Sequence, residues 1–254
     1  MRKALIAGLV GLVLGGTAQA GELKIAPKVE KYTEKYYDGG EVAKIDGWLK
    51  GVEISNESDS FLGLPIASGL KIELLKGEID LDKYDEGITK DDDHLLFDMD
   101  LYVGPRFDLG EEVKVRVIPA VEFVANYQDR DFDGGTEYKT AWYGLGGGLR
   151  VKVQKGKFWS ELHPYYAKAL KKKLHVENEK YGIDDVDDLG DTYRWGVELT
   201  AGYDLTERVS LWGEFSYRYT HIDQNEVEVG GKPYRDEEKK GYEKGFALGI
   251  AFRW

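Results

Sequence analysis

The chain has 254 residues, with 35 Lys and Arg against 47 Asp and Glu, no Cys, and a mean hydropathy of −0.48. The lack of Cys excludes disulfide scaffolds, thiol nucleophiles and Cys-ligated metal centres. The net charge of −12 argues against nucleic-acid binding, because neutralising phosphates requires clustered Lys and Arg. A hydrophobic content of 42%, with 17 Tyr, 9 Phe and 6 Trp, is too high for a disordered chain.

The N-terminal twenty residues have the three parts of an export signal. Arg2 and Lys3 precede an apolar run up to Leu14, and a small-x-small pattern ends at Ala20. The run is shorter than the roughly 20 apolar residues of a membrane-spanning helix. We expect cleavage near Ala20, which removes two basic residues and takes the net charge from −12 to −14. Residues 21–254 would then form one domain.

Apolar residues recur at every second position through most of that domain. The alternation is weak over residues 22–37, 44–55, 68–76 and 157–171, and it is strong over residues 97–103, 113–123, 143–153, 193–203, 209–219 and 246–254. A tilted transmembrane strand needs roughly 9–11 residues, and no segment has a helical period. We predict an all-β fold, a closed antiparallel up-and-down barrel of about ten strands with eight or twelve as alternatives, since closure removes exposed edges.

The connections between these segments are predicted to alternate in length. Working back from the C-terminus, long links are expected at 221–243, 172–191, 127–137 and 77–94, and short ones at 204–207, 154–157 and 109–112. Transmembrane barrels join their strands by short periplasmic turns and longer outer loops. The pattern therefore favours a membrane barrel over a soluble sandwich.

The last strand carries a glycine and two aromatic residues at Gly249, Phe252 and Trp254. This spacing resembles the assembly signal of small bacterial outer-membrane β-barrel proteins, the porin-like barrels. The resemblance implies an integral outer-membrane protein of a Gram-negative envelope, surrounded by membrane lipid and lipopolysaccharide. It also implies that the C-terminal strand is bound by the barrel-assembly machinery, and it indicates neither a solute nor an oligomeric state.

Charged residues of both signs are predicted to line the lumen. They are Asp98, Asp100, Arg106, Arg116, Glu122, Arg150, Glu161, His163, Arg194, Glu198, Glu214 and Arg218. In a barrel of about ten strands, such side chains can line a narrow pore or meet as salt bridges that plug it. We predict a narrow, porin-like channel that prefers small cationic solutes. The alternative is a plugged structural or adhesive barrel with acidic outer loops.

A divalent cation could bind at the outer loops, and no other cofactor is expected. Asp129, Asp131 and Asp133 match the first half of a calcium loop, although the twelfth position is Thr140 instead of Glu. A plain hairpin tip explains the same residues. Acidic runs in the other outer loops could share divalent ions with lipopolysaccharide.

An enzyme is the less favoured interpretation. Omptin proteases are ten-stranded barrels with an Asp-x-Asp pair and an Asp-x-His pair on opposite walls, and the chain resembles them in two places. Asp98 and Asp100 match the first pair, and His221 and Asp223 match the second in reversed order. Carboxylate and imidazole groups could act as general bases, but only with the right geometry.

Overall fold

The computed structural model describes residues 21–38, 40–60, 64–83, 88–132, 136–178, 183–188, 190–229 and 232–254, and the predicted export signal lies outside them. Ten long strands form the wall of a barrel: β1 (Gly21–Tyr37), β2 (Glu41–Ser58), β3 (Ile66–Lys83), β4 (Ile88–Pro105), β6 (Lys114–Phe132), β7 (Thr136–Lys155), β8 (Phe158–Asn178), β10 (Thr192–Asp204), β11 (Val209–Ile222) and β14 (Glu238–Arg253). Four short strands lie between them: β5 (Phe107–Leu109), β9 (Ile183–Asp187), β12 (Asn225–Val229) and β13 (Lys232–Asp236).

The long strands close into a ring. Each pairs antiparallel with the long strands before and after it in the chain, and β1 pairs with β14, so that Ile25 lies opposite Ile250. The short β5 pairs with β6, β9 pairs with β8, and β12 pairs with β13. The predicted all-β, closed antiparallel barrel of ten strands is confirmed. The described residues include no helix long and apolar enough to cross a membrane.

Large apolar side chains cover the outside of the barrel in a continuous band, called here the apolar belt. One member from each long strand, exposed over 37–60% of its surface, is Ile25, Val52, Leu74, Leu101, Val121, Leu145, Leu162, Leu199, Phe215 and Leu248. A soluble protein rarely exposes so large a continuous apolar surface, whereas a transmembrane barrel requires one. The alternation that predicted the strands therefore places apolar side chains outward.

The two ends of the barrel differ. Both termini of the domain lie at one end, called the turn end, where residues 156–157 join β7 to β8 and residues 205–208 join β10 to β11. At the opposite end, called the loop end, the strands continue well beyond the belt. The prediction of long loops at 77–94 and 127–137 was wrong, because β3 runs to Lys83, β4 begins at Ile88, and β6 runs to Phe132. The outward side chains of these extensions are polar. In the sequence, the extended strands therefore resembled loops.

Aromatic and aliphatic side chains form two buried clusters inside the barrel. Near the turn end, Trp159 and Trp212 pack with small alanines. Toward the loop end the buried cluster comprises Tyr32, Ile45, Leu49, Leu75, Ile79 and Leu96. Glycines make room for the rings, since Gly202 lies opposite Trp159 and a Cβ there would come within 2.3 Å of the indole. Charged groups occupy the section between the two clusters.

Candidate functional site: the charged interior

The structure places ten of the twelve predicted lumen residues inside the barrel. Their side chains are all buried: Asp98, Asp100, Glu122, Arg150, Glu161, His163, Arg194, Glu198, Glu214 and Arg218. Arg106 and Arg116 are partly exposed at the turn end, where each forms an ion pair with Asp108 and Arg116 lines the mouth of the interior. Arg106 falls between β4 and β5, so the alternation of inward and outward side chains along β4 does not determine its direction.

Arg218 is the centre of the largest group of ion pairs. Its guanidinium donates to Asp98 at 2.8 Å, to Glu30 at 2.7 Å and to Glu73 at 2.5 Å, and it lies 3.2 Å from Glu243. Arg218 is on β11 and Asp98 is on β4, which are five strands apart in the ring of ten. Their contact therefore spans the full diameter of the barrel.

Lys71 makes a second contact of this kind. Its ammonium group on β3 donates to Glu198 on β10 and to Glu214 on β11, each at 2.7 Å. Strands β3 and β10 are also five apart in the ring. Two ion pairs thus cross the lumen in different directions, so the walls are in contact through their side chains.

Three buried carboxylates, Glu53, Glu73 and Glu214, bring oxygens within 4.8 Å of one another, a spacing that could hold a metal ion. The ammonium groups of Lys28 and Lys71 supply positive charge here already. Lys28 donates to Glu53 at 3.1 Å and to Glu73 at 2.6 Å, while Lys71 lies 2.7 Å from Glu214. Together with Arg218, which donates to Glu73, the two lysines bring three positive charges to the three carboxylates.

His163 on β8 extends this network to β6. Its Nε2 lies 2.6 Å from Glu122 on β6, and its Nδ1 lies 3.2 Å from Glu198 on β10. Gly148 lies beside this pair on the intervening strand β7, and a Cβ there would fall 2.1 Å from the Glu122 carboxylate and 2.9 Å from Nε2. The glycine therefore leaves the space in which the pair forms.

Sequence reasoning missed half of this network. The missed members are Lys28, Glu30, Glu53, Lys71, Glu73 and Glu243. All but Glu243 lie on β1, β2 and β3, where apolar alternation is weakest. The available signal was their spacing, because charges at every second position of these strands share the inward face.

A cavity of about 540 Å³ opens at the turn end. Its lining includes Glu57, Asp59, Arg116, Lys152 and Arg253. Deeper inside, the cavity beside Lys71 and His163 has a volume of about 20 Å³, close to the room needed by a single water. The interior is therefore open at the turn end and filled where the ion pairs cross it.

The turn-end mouth carries its own ion pairs. Arg116 donates to Asp108 at 2.9 Å and to Asp59 at 2.5 Å. Partial burial alone would raise the pKa of Asp108, but its bonds to Arg116 and Arg106 outweigh burial and hold that pKa below its ordinary value. The carboxylate consequently stays charged at neutral pH.

The two candidate protease pairs are engaged separately. Asp98 accepts hydrogen bonds from Asn126, Arg194 and Arg218 and is fully buried. His221 bonds instead to Asp223 at 2.7 Å, near the loop end of β11. Asp98, Asp100, His221 and Asp223 are all described by the structure. No hydrogen bond or ion pair joins the first two of them to the last two.

The remaining predicted sites lie on the wall. Asp129 and Asp131 are within β6, opposite Lys139 and Glu137, whereas Asp133 lies outside the described residues. At the C-terminus, Phe252 and Trp254 are outward and half-exposed. A Cβ at Gly249 would fall 2.1 Å from the carbonyl oxygen of Ile25, so this glycine permits close pairing where β14 meets β1.

Comparison with known proteins supports the fold. No family model and no curated protein matches the chain. Among solved structures, the outer membrane protease OmpT of Escherichia coli superposes with a TM-score of 0.63 at 12% identity, over 94% of this chain and 98% of that one. The transport unit of the autotransporter AIDA-I of Escherichia coli gives 0.47 at 12% identity, over 94% and 92% of the two chains. The chain thus has the fold of outer-membrane β-barrel proteins.

Proposed function

We propose that the chain is an integral outer-membrane barrel with a closed interior and a structural or adhesive role. The observation that carries this proposal is the pair of contacts across the full diameter, Arg218 to Asp98 and Lys71 to Glu198. A barrel whose walls meet through buried ion pairs leaves solutes no open path. Its function would then reside in the loop end and in the outer wall.

The location is supported by three independent features. The apolar belt surrounds the barrel, the fold matches that of outer-membrane proteins, and the C-terminal strand ends in outward aromatics. Outer-membrane barrels keep short turns in the periplasm and extend their loops outward. We therefore assign the turn end to the periplasm and the loop end to the cell surface.

The narrow cation channel that the sequence favoured has less support. A solute entering the turn-end cavity would have to separate buried ion pairs such as Lys71 with Glu214. Breaking a buried pair costs about 3–5 kcal/mol, because an uncompensated charge is left behind. The mixture of charges in the interior therefore supports the plugged alternative.

Conductance of the purified barrel in a planar lipid bilayer tests the proposal directly. We expect no steady current steps from the wild type. Current steps from the double variant Lys71→Ser and Arg218→Ser, which lacks both cross-diameter contacts, would show that these contacts close the barrel. As a matched control, Lys114→Ser and Arg116→Ser removes two cations from the turn-end cavity and should remain closed.

Large, stable current steps from the wild type would overturn the proposal without reference to any variant. Folding of the double variant is checked by the heat-dependent shift in its gel migration. Uptake gives a second measurement that needs no variant. Expressing the wild type in cells depleted of porins should leave the influx of small sugars and amines unchanged.

A protease role receives no support from the site geometry, because the Asp98 carboxylate is held by two arginines and is not free to activate water. The similarity to OmpT is a similarity of fold at 12% identity. We therefore propose no enzymatic activity. Dibasic peptides incubated with the barrel and lipopolysaccharide should remain intact.

A further inference from the structure

Four outward lysines lie side by side where the apolar belt ends toward the loop end. They are Lys244 on β14, Lys31 on β1, Lys50 on β2 and Lys76 on β3, and we call them the lysine row. On several other strands the belt ends instead in tyrosine, as at Tyr127, Tyr143, Tyr193 and Tyr219. The lysine row occupies β14, β1, β2 and β3, and further exposed lysines, Lys168 and Lys171, lie beside Leu170 on β8.

The strand register brings the four lysines into two directly opposed pairs. Lys31 faces Lys244, and Lys50 faces Lys76. The two pairs are diagonal neighbours, since Lys50 lies opposite Val29, two residues before Lys31. Like charges directly opposite each other destabilise a sheet unless an anion lies between them.

The protein itself supplies little of that negative charge. Lys31 pairs with Asp46 at 2.5 Å, and Lys76 pairs with Asp93 at 3.0 Å in an exposed contact of small energetic value. Lys50 and Lys244 are exposed and make no ion pair or side-chain hydrogen bond with any residue that the structure describes. Two of the four ammonium groups are therefore available to an external anion.

The surroundings of the lysine row suit the apolar part of a lipid. Trp48 is 56% exposed, and its ring lies 5.5 Å from the Lys31 ammonium group. Immediately on the turn-end side lie the exposed side chains of Val29, Val52 and Phe246. Cations at the edge of an apolar wall sit where the phosphates of a bilayer leaflet would lie.

We propose that the lysine row is a binding site for an acyl lipid of the outer leaflet that carries two phosphate groups. One phosphate would lie between Lys31 and Lys244 and the other between Lys50 and Lys76. The acyl chains would pack on Val29, Val52 and Phe246. The site rests on the outer-membrane location alone, so it is independent of whether the interior conducts.

Native mass spectrometry of the mature barrel in zwitterionic detergent tests this site. The probe is bisphosphorylated lipid A, compared with the same lipid after removal of its phosphates. The double variant Lys31→Gln and Lys244→Gln should weaken binding about 30-fold, since each lysine near an anionic headgroup contributes roughly fivefold. The control Lys155→Gln and Lys157→Gln removes the same charge at the turn end and should stay within about twofold of wild type.

Three results would overturn the site. They are equal binding of the phosphorylated and dephosphorylated lipids, equal affinity of the double variant and its control, and displacement of the lipid by inorganic phosphate alone. All four substituted side chains lie on the outside of the barrel, and the gel shift on heating verifies that both variants are folded.

Discussion

Replacing Arg218 by Met is the sharpest test of the charged interior. The guanidinium contacts Glu30, Glu73, Asp98 and Glu243 and is fully buried. Met keeps much of the side-chain volume and removes only the charge and the hydrogen bonds. The variant therefore measures the electrostatic role of Arg218 with little change in packing.

The expected loss of stability depends on which cations still contact each carboxylate after the substitution. Asp98 and Glu243 keep contacts with Arg194 at 2.7 Å and 3.3 Å, and Glu73 keeps Lys28 and Lys71. Among the described residues, Glu30 has no other ion pair. The substitution thus leaves one uncompensated buried carboxylate instead of four, and the expected loss of unfolding free energy is about 3–5 kcal/mol.

Denaturant unfolding in detergent micelles, followed by tryptophan fluorescence, measures that loss at neutral pH. The control Arg116→Met breaks the half-exposed pairs at the turn end and should cost less than about 1 kcal/mol. Adding Glu30→Gln to Arg218→Met should restore much of the stability, because it neutralises the orphaned carboxylate. The reasoning fails if Arg218→Met costs no more than the control, or if Glu30→Gln destabilises it further.

Three further outcomes are expected from other parts of the barrel. Gly148→Ala forces a methyl group against Glu122 and should lower the unfolding free energy by about 1–3 kcal/mol in the same assay. The control Gly147→Ala should be nearly neutral, because the nearest atom to its new methyl group lies at 3.5 Å. Phe252→Ala should slow insertion into proteoliposomes that contain the barrel-assembly machinery but leave spontaneous folding in detergent unchanged. Equal slowing in both assays would contradict recognition of the terminal strand by that machinery. Chelation with EDTA should not shift the unfolding midpoint, because Lys28, Lys71 and Arg218 already bring three positive charges to the three buried carboxylates.

Local alternation was sufficient to predict the barrel wall. Along β14, Phe246, Leu248 and Ile250 face outward, while Ala247 and Ala251 are buried. Alternation with a period of two shows which side chains share a face of the strand. That is sufficient to predict which residues form the apolar belt. Strand ends were harder, because β3 and β4 continue past the belt with polar outward residues such as Lys76 and Asp93.

The contacts inside the barrel could not be predicted in the same way. Lys71 and Glu198 are 127 positions apart in sequence, and Arg218 and Glu30 are 188 apart. Which inward residues meet depends on the stagger between strands around the whole ring, which no single segment encodes. The sequence therefore indicated a mixed-charge interior but could not show whether the charges line a pore or cross it.

The extension of the strands beyond the apolar belt determines how far the loop end stands from the lipid surface. In β8, residues 171–178 continue past Leu170, the last exposed apolar side chain of that strand. At about 3.3 Å per residue and a strand tilt of roughly 40°, these residues carry the end of β8 about 20 Å beyond the end of the apolar belt. A bulky soluble partner could reach the tips without touching lipid, while a lipid held at the lysine row would lie beneath its reach. Contacts with cells and contacts with the membrane would therefore take place at different heights on the same wall.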